Sequence, residues 1–273
     1  MCSMVEERIS AWRDENDGNL PAAILFYRDG VSESQFRMCE TEEVGQIRQA
    51  YKNLGGEKEI KITFIVVGKR HHTRFYPTDA KDSSTYNKKT GYDQKLRKPI
   101  MEYNRINGNL KPGLLVDNTV TNPSPKNFFL QSHVAVQGTA RPAHYHVLMD
   151  EMELDDDVPE LTLILCTTFG RATKIVSYAA PAYTADRLCE RGRVYLRPWA
   201  NGEIGPTWSP NDLKNKHGTP FTKDEFKQWR KQKALELSRD PHVWGKYNDK
   251  AANGKPVRLN PWHENFDKSM FWV

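Results

Sequence analysis

Two apolar runs near the start of the chain flank a stretch with helical periodicity. Ala22–Arg28 and Lys61–Gly68 have the length and composition of buried strands, and Thr41–Leu54 has acidic residues in its first turn and a Gly55-Gly56 stop. A strand, a helix and a strand in this order are typical of a βαβ unit with parallel strands. The pattern places Asp29 just past the carboxyl end of the first strand, where open α/β sheets bind their ligands.

The middle of the chain continues the sheet pattern after a polar interruption. From Phe75 to Lys111 the sequence is rich in Lys, Asp, Ser and Asn and has no clean period, which indicates a surface insertion at about residues 76–111. Strands are predicted again at Leu114–Asp117, Phe128–Gln137 and Ala143–Met149. The chain is therefore expected to have an α/β fold, with a mixed sheet flanked by helices.

An acidic run precedes the next apolar helix. Asp150–Glu160 leads into a predicted helix at Glu160–Phe169, and a further helix begins near Pro181 and runs to about Val194. The acids suit a solvated loop and a helix amino terminus, where the helix dipole favours negative charge. Calcium binding by Asp155-Asp156-Asp157 is the alternative, although the Gly and Glu positions of a calcium loop are missing.

The chain from Leu196 onward has a different composition, rich in Pro, Gly, Asn and Trp, with one basic amphipathic helix expected at about Thr222–Ser238. We therefore expect a main domain at residues 1–195 and an irregular carboxy-terminal extension at 196–273. The extension could recruit protein partners through its tryptophans, which are Trp199, Trp208, Trp229, Trp244, Trp262 and Trp272.

Composition narrows the class of protein. A hydrophobic content of 38% with 27% charged residues fits a soluble globular protein, and no apolar run approaches the roughly 18 residues of a membrane helix. Met1–Ser10 lacks the apolar core of a signal peptide, so we expect a cytoplasmic or nuclear location and no membrane. The four scattered cysteines argue against a disulfide framework. A formal net charge of +5 is compatible with a polyanionic partner.

Several motifs occur in a fixed order along most of the chain. They are YRDGVSE from Tyr27, KRHHTR from Lys69, QSHVAVQGTARPAHYHV from Gln131, an isolated Arg171, and PAYTAD ending at Asp186. Over about residues 4–194 this series resembles the carboxy-terminal part of the PIWI domain of the Argonaute family. The resemblance implies an RNase H-like fold, present in part, and a function in small-RNA-guided RNA binding and silencing.

The same resemblance implies a metal site for RNA cleavage. It makes Asp29 one of the carboxylates that hold two Mg²⁺ or Mn²⁺ ions for phosphodiester hydrolysis, and Asp186 the residue that closes the site. The family's other two acidic ligands lie upstream of the YRDG motif, and Met1–Arg28 contains no recognisable counterpart. Without the family context, Asp29 would be read as a turn residue and Asp186 as a helix carboxylate paired with Arg187 or Arg191.

RNA-binding residues are implied at further positions of the matched motifs. The resemblance puts eight residues at guide-backbone positions, which are Lys69, Arg74, His133, Gln137, Arg141, Arg171, Ser177 and Tyr183. It gives Arg191 a role at the 5′ phosphate of the guide, and Arg191 lies about 140° around the helix from Asp186. The structural alternatives are an exposed basic strand end for the KRHHTR run and an ordinary surface arginine for Arg191.

The histidines of these motifs allow a second kind of site to be considered. Adjacent His71 and His72 would face opposite sides of a strand, which disfavours joint chelation of a metal. His144 and His146 share a face, but no third ligand for zinc is evident. We therefore expect these histidines to serve as core residues or as hydrogen-bonding residues beside RNA.

Three functions remain open from the sequence. The first is a slicer, in which the complete protein cuts target RNA opposite the guide, although this chain holds only two of the four expected metal-site residues. The second is a guide-binding module that silences without cutting, and the third is a protein-interaction remnant. The partners implied by the resemblance are a small guide RNA, a complementary target RNA and proteins of a silencing complex.

Overall fold

The computed structural model describes residues 1–88, 92–93, 98–99, 103–122, 124–135, 137–201, 214, 217–229, 232, 248–250 and 256–257. The chain divides into two units, Met1–Ala185 and Asp186–Val273. The described helices include none that is long and apolar enough to cross a membrane.

Helices and strands alternate along the described parts of the chain. The helices are α1 (Cys2–Glu15), α2 (Phe36–Met38), α3 (Val44–Asn53), α4 (Asp157–Leu165) and α5 (Ala180–Asn201), the last of which continues into the second unit. Short 3₁₀ turns at Glu33–Gln35 and Ala80–Asp82 and a π turn at Cys39–Glu43 accompany them. The strands are β1 (Ala23–Asp29), β2 (Lys61–Gly68), β3 (Ser83–Lys88), β4 (Tyr92–Asp93), β5 (Lys98–Pro99), β6 (Tyr103–Leu110), β7 (Leu114–Val116), β8 (Asn127–Gln131), β9 (Ala143–Asp150), β10 (Asn248–Lys250) and β11 (Pro256–Val257).

A five-stranded mixed sheet with the order β1-β2-β9-β8-β7 forms the framework of the first unit. Strands β1 and β2 are parallel, with Asp29 opposite Val67, whereas the other neighbours are antiparallel. The βαβ prediction is confirmed, because the helical segment between β1 and β2 allows the crossover that parallel strands need. Asp29 is the last residue of β1 rather than the residue after it.

Each face of the sheet is buried by helices. On one face, Val67, Leu130 and Tyr145 pack with residues of α4 and the start of α5. On the other face, Phe64 and Val66 pack with α3, whose buried residues Val44, Ile47 and Ala50 recur at helical spacing. Helix α1 packs against α3. The sheet is thus held from both sides, which leaves its strand ends as the place for a site.

Buried hydroxyl groups complete the packing on the α4 side. The Tyr27 hydroxyl lies 2.8 Å from the Thr162 Oγ1, and Thr162 donates its own hydrogen to the Val158 carbonyl at 2.7 Å. Tyr27 is therefore the donor of the first bond. Burial raises the pKa of Tyr27 to about 12, so the phenol keeps its proton at neutral pH.

Several predicted bounds need correction. Strand β8 ends at Gln131 and not at Gln137, because the Ser132 hydroxyl bonds to the Val176 carbonyl at 2.6 Å as the chain leaves the sheet. The helix expected at Glu160–Phe169 is α4, which begins at Asp157 and ends at Leu165. The hydroxyls of Thr167 and Thr168 bond to the carbonyls of Ile164 and Leu165, which satisfies the end of the helix.

The polar insertion contains strands that its sequence did not predict. Strands β3 and β6 pair antiparallel, and β4 and β5 form a second short antiparallel pair. Helix α1 was not predicted either, and helical structure before α3 begins at Glu33 rather than Thr41.

The second unit is described only in part. Residues 223–229 are helical, and Thr222 and Glu225 form a reciprocal capping pair at the start, with Glu225 N 3.3 Å from Thr222 Oγ1. The Trp229 ring lies 5.9 Å from that of Phe226. Most of the predicted Thr222–Ser238 helix beyond residue 229 and the side chains of the other five extension tryptophans fall outside the described residues.

Candidate nucleic-acid interface

One edge of the sheet gathers the chain segments that carry the predicted site. Because β1 and β2 are parallel, Asp29 and the residue after Gly68 lie at the same edge. Strand β9 starts there too, since His144 pairs with Gly68, and β8 ends there, since Leu130 pairs with Ala143. We call this the carboxyl edge. It brings together Asp29, the segment from Lys69, and the loop that joins β8 to β9.

Three cationic side chains meet at the carboxyl edge. One guanidinium nitrogen of Arg141 lies 3.4 Å from the Lys69 carbonyl oxygen and donates to it. The guanidinium of Arg74 donates to the carbonyls of His71 and Thr73, at 3.1 and 2.7 Å. These bonds hold the two arginines close enough to Lys69 for their charges to act on it. We call Lys69, Arg74 and Arg141 the cation cluster.

The surroundings of Lys69 disfavour its positive charge. Burial, followed by the positive charge of Arg141 and with a contribution from Arg74, lowers the pKa of Lys69 to about 8, while the Asp29 carboxylate acts in the opposite direction. The Lys69 ammonium also lies 5.8 Å from the centre of the Tyr178 ring, within cation–π range. An anion bound at the cluster would relieve the repulsion among these cations.

His133 lies beside the cluster and is neutral. Burial and the charge of Lys69 lower the pKa of His133 to about 4. Its Nδ1 atom is buried and has no hydrogen-bond partner within the part of the chain that the structure describes. A neutral imidazole with a spare ring nitrogen could accept or donate one hydrogen bond, depending on its tautomer.

The remaining predicted RNA residues of the first unit differ in exposure. Gln137 and Arg171 are exposed, and Arg171 lies in the loop that joins α4 to α5. Ser177 is half-buried in the same loop. The half-buried Tyr183 ring packs between Phe169 and Tyr178, at centroid distances of 4.5 and 4.8 Å. Tyr183 thus supports Tyr178, which in turn lies next to Lys69.

The chain turns sharply at Asp29 and Gly30 as it leaves β1. The Gly30 amide donates to the Val67 carbonyl at 3.4 Å, and Gly30 has φ of 75°, a conformation that a residue with a Cβ adopts only with strain. Arg28 forms a 3.0 Å ion pair with Glu43 and also donates to the Asp29 carbonyl at 2.6 Å. The strand and turn therefore present the Asp29 carboxylate at the edge.

The described residues do not form a metal centre by themselves. Among them, no group of three or more His, Cys, Asp or Glu residues is arranged to hold a metal ion. Asp29 is half-buried and supplies one carboxylate in the first unit. Hard divalent cations need several oxygen ligands, so this carboxylate alone does not fit a pair of them.

Asp186 and Arg191 belong to the second unit, on helix α5. The Asp186 carboxylate pairs with Arg187 at 2.7 Å, which is the ion pair expected of an ordinary helix carboxylate. Arg187 also pairs with Glu190 at 2.6 Å. Arg191 is exposed. The continuous helix keeps Asp186 and Arg191 on different sides of α5.

The histidines of the motifs pack as a column of rings on the α3 side of the sheet. The His144 ring lies 4.0 Å from that of His146 and 3.9 Å from that of Phe129, and the Phe129 ring lies 5.3 Å from that of His71. His144 Nε2 bonds to Asn127 Oδ1 at 2.9 Å, and His71 Nε2 bonds to the Pro142 carbonyl at 2.9 Å. His71 and His144 therefore pack and hydrogen-bond within the protein and His146 packs beside His144, whereas His72 is exposed.

Comparison with known proteins identifies the family. The model of the Piwi domain matches residues 1–197. This chain belongs to the Argonaute family. Protein argonaute PNH1 of Oryza sativa subsp. japonica is 40% identical over 196 residues, and argonaute 10 of Arabidopsis thaliana is 38% identical over 196 residues. In both cases the match covers 71% of this chain and 18% of the relative, so this Argonaute chain spans less than a fifth of their length.

Solved Argonaute structures have the same fold. The carboxy-terminal lobe of a budding yeast Argonaute matches with a TM-score of 0.62 and 31% identity, over 77% of this chain and 41% of that one. Kluyveromyces polysporus Argonaute with a guide RNA matches with a TM-score of 0.61 and 32% identity, over 74% and 23%. The expected RNase H-like Piwi fold is therefore confirmed.

Two residues of this Piwi edge were missed by sequence reasoning. Tyr178 faces Lys69, but sequence reasoning selected the neighbouring Ser177, and Tyr178 is followed by the buried Ala179 and Ala180. Asn109 is buried and bonds to both Gly138 and Ala140, yet it follows a glycine in a polar stretch that resembles a simple turn. Only the folded loop shows that both residues organise the edge.

Proposed function

We propose that this chain holds an RNA backbone at the carboxyl edge of its Piwi domain, as part of an Argonaute-type protein that acts in small-RNA-guided silencing. The cation cluster carries the proposal, because three cations from two separate loops meet at one strand edge. Such a cluster suits the phosphates of RNA. A similar Argonaute structure contains a guide RNA, which supports the same ligand here.

The residues of the carboxyl edge suit RNA binding that does not depend on the base sequence. Phosphate contacts from Lys69, Arg74 and Arg141 would fix the position of the strand, and base pairing between guide and target would supply the specificity. His133 offers one further hydrogen bond. Contacts by Gln137, Arg171, Ser177 and Tyr183, and a 5′-phosphate contact by Arg191, belong to the same proposal.

The proposal is tested by removing the cluster's charge. A Lys69→Gln/Arg74→Gln/Arg141→Gln variant is compared with a Lys52→Gln/Lys58→Gln/Lys61→Gln control, whose three exposed lysines lie at the opposite end of β2 and on nearby segments. Both variants lose three charges. Binding of a labelled single-stranded RNA is measured over a series of salt concentrations.

The cluster variant should lose affinity and should have a shallower salt dependence, by about 0.7 in the slope of log K against log salt for each lost phosphate contact. The control should keep the wild-type slope. Equal losses in both variants would show that general charge, and not the carboxyl edge, attracts RNA. Unfolding midpoints of all three proteins verify that the variants are folded.

We infer further that slicing belongs to the complete protein and that this chain alone does not cut RNA. Two-metal hydrolysis, with Mg²⁺ or Mn²⁺, needs several oxygen ligands around the reacting phosphate. Asp29 and Asp186 would be two of them. Within the described residues there is no group of three metal ligands, which supports the inference that cutting needs further ligands from the complete protein.

The slicing proposal is tested with two proteins, this chain and a version joined to the preceding half of a Piwi domain. Both are loaded with a guide and given a matched target and magnesium. The joined protein should cut, its Asp29→Ala variant should not, and this chain alone should not. Cutting by this chain that survives Asp29→Ala would defeat the role of Asp29. A joined protein that loads guide without cutting would favour silencing by binding alone.

A further inference from the structure

In the insertion, β3 and β6 pair as the two sides of an antiparallel arm, and the sequence from residue 83 to 110 carries most of the net charge of the chain. Six of these residues are basic and two are acidic, so the arm accounts for +4 of the formal net charge of +5. Strands β3 and β6 pair along it, and β4 and β5 pair within the segment that joins them. A net positive charge in so short a segment favours a polyanionic partner.

The pairing register of β3 and β6 places different residue types on the two faces of the arm. Tyr86 pairs with Arg105, and Lys88 pairs with Tyr103. Directly opposite residues share a face of an antiparallel pair, and residues two apart along a strand share it too. One face therefore has alternating aromatic and basic positions, which are Tyr86, Lys88, Tyr103 and Arg105. The paired positions of the other face are uncharged, and they are Thr85, Asn87, Asn104 and Ile106.

Alternating aromatic and basic positions match the two chemical parts of a single-stranded RNA. Lysine and arginine neutralise phosphates, and aromatic rings stack on unpaired bases. An acidic protein surface would need the cations but would give the tyrosines no comparable partner. The composition of this face therefore favours RNA.

The base of the arm is fixed to the carboxyl edge. The buried Asn109 side chain donates to the Gly138 carbonyl at 3.0 Å and accepts from the Ala140 amide at 2.7 Å. The Gln131 side chain donates to the Leu110 carbonyl at 2.8 Å. Gly138 and Ala140 lie between Gln137 and Arg141. The base of the arm therefore contacts the loop that carries two of the proposed RNA-binding residues.

We propose that the aromatic and basic face of the arm is a second RNA-binding surface, which holds single-stranded RNA that extends past the carboxyl edge. This inference rests on the proposed function, because the edge must first bring RNA to the base of the arm. The arm adds contacts to the phosphates and bases of that strand and is not part of the cation cluster.

The test compares the two faces of the arm in the full chain. A Lys88→Gln/Arg105→Gln variant and an Asn87→Glu/Asn104→Glu control each lower the net charge by two, on opposite faces. A Tyr86→Leu/Tyr103→Leu variant removes the rings and leaves the charge. Binding of a labelled single-stranded RNA, long enough to extend beyond the edge, is measured at several salt concentrations, and unfolding midpoints verify folding.

The Lys88→Gln/Arg105→Gln variant should show a salt slope shallower by about 1.4, at about 0.7 for each phosphate contact. The control should keep the wild-type slope, and the tyrosine variant should bind about tenfold more weakly with its slope unchanged. Equal effects of the two charge variants would overturn the face assignment. Wild-type affinity in all the arm variants would overturn the inference while leaving the proposed function intact, whereas failure of the wild-type chain to bind RNA would overturn both.

Discussion

The protonation state of Lys69 should control how strongly the carboxyl edge binds RNA. Burial and its neighbours Arg141 and Arg74 lower the pKa of Lys69 to about 8, so a growing fraction of the side chain is neutral above that pH. A neutral amine does not pair with a phosphate. Binding at higher pH must therefore include the uptake of a proton, which the bound phosphate would favour.

The affinity of the chain for RNA should fall about tenfold between pH 7 and pH 9, because a group with a pKa of about 8 is mostly charged at the first pH and mostly neutral at the second. Lys69→Arg should flatten this dependence, since the guanidinium stays charged. Lys61→Arg, at the opposite end of β2, is the control and should keep the wild-type profile. An unchanged profile in Lys69→Arg would show that another group titrates.

At the residue level, the sequence indicated the cations but not their surroundings. Lys69, Arg74 and Arg141 were recognisable in collinear motifs, and the fold brings them together. The pairing of Asp186 with Arg187 was foreseen as the ordinary alternative to a metal ligand. The depressed pKa of Lys69 could not be foreseen, because it depends on burial and on the approach of Arg141 from a loop more than seventy residues away.

At the level of elements, buried apolar segments were predictable and polar ones were not. The run at Lys61–Gly68 matches β2 in full, because a strand covered on both faces must be apolar throughout. The prediction extended β8 too far, since Val134 continues the apolar run but is exposed after the chain leaves the sheet. Strands β3 and β6 gave no signal, because their paired positions lack the alternation of apolar and polar residues that marks a half-buried strand.

The ring column on β9 makes the stability of the sheet sensitive to acid. Burial lowers the pKa of His144 to about 3, with the neighbouring His146 and His71 acting in the same direction, against about 6.5 in an unfolded chain. A folded-state pKa below the unfolded value gives stability that is complete above pH 6.5 and is lost as the pH falls toward 3. At pH 5 His144 should therefore make the fold less stable than at pH 7, by less than the full pKa shift implies, because the ring is only partly buried.

This effect is measured as the difference in unfolding free energy between pH 7 and pH 5. His144→Gln should reduce that difference, because the amide can still donate to Asn127 but does not titrate. His72→Gln, at an exposed position of the KRHHTR motif, should leave it unchanged. An equal pH difference in wild type and His144→Gln would contradict the assignment.

For the whole molecule, the placement of positive charge is the feature that supports RNA binding. The chain spans less than a fifth of the relatives that it matches, and its described residues hold no complete set of metal ligands. Three cations meet at the carboxyl edge, and residues 83 to 110 beside it carry a net charge of +4. This placement of charge supports the proposal that the chain binds an RNA backbone.

The most direct test of this account is to map where RNA touches the intact chain. Single-stranded RNA is crosslinked to the protein with ultraviolet light, and the attached peptides are identified by mass spectrometry. Crosslinks should concentrate at residues 69–74 and 137–141, with a second group on the arm, and high salt should suppress them. Crosslinks confined to α1, α3 and the opposite end of β2, with none at the carboxyl edge, would contradict the account.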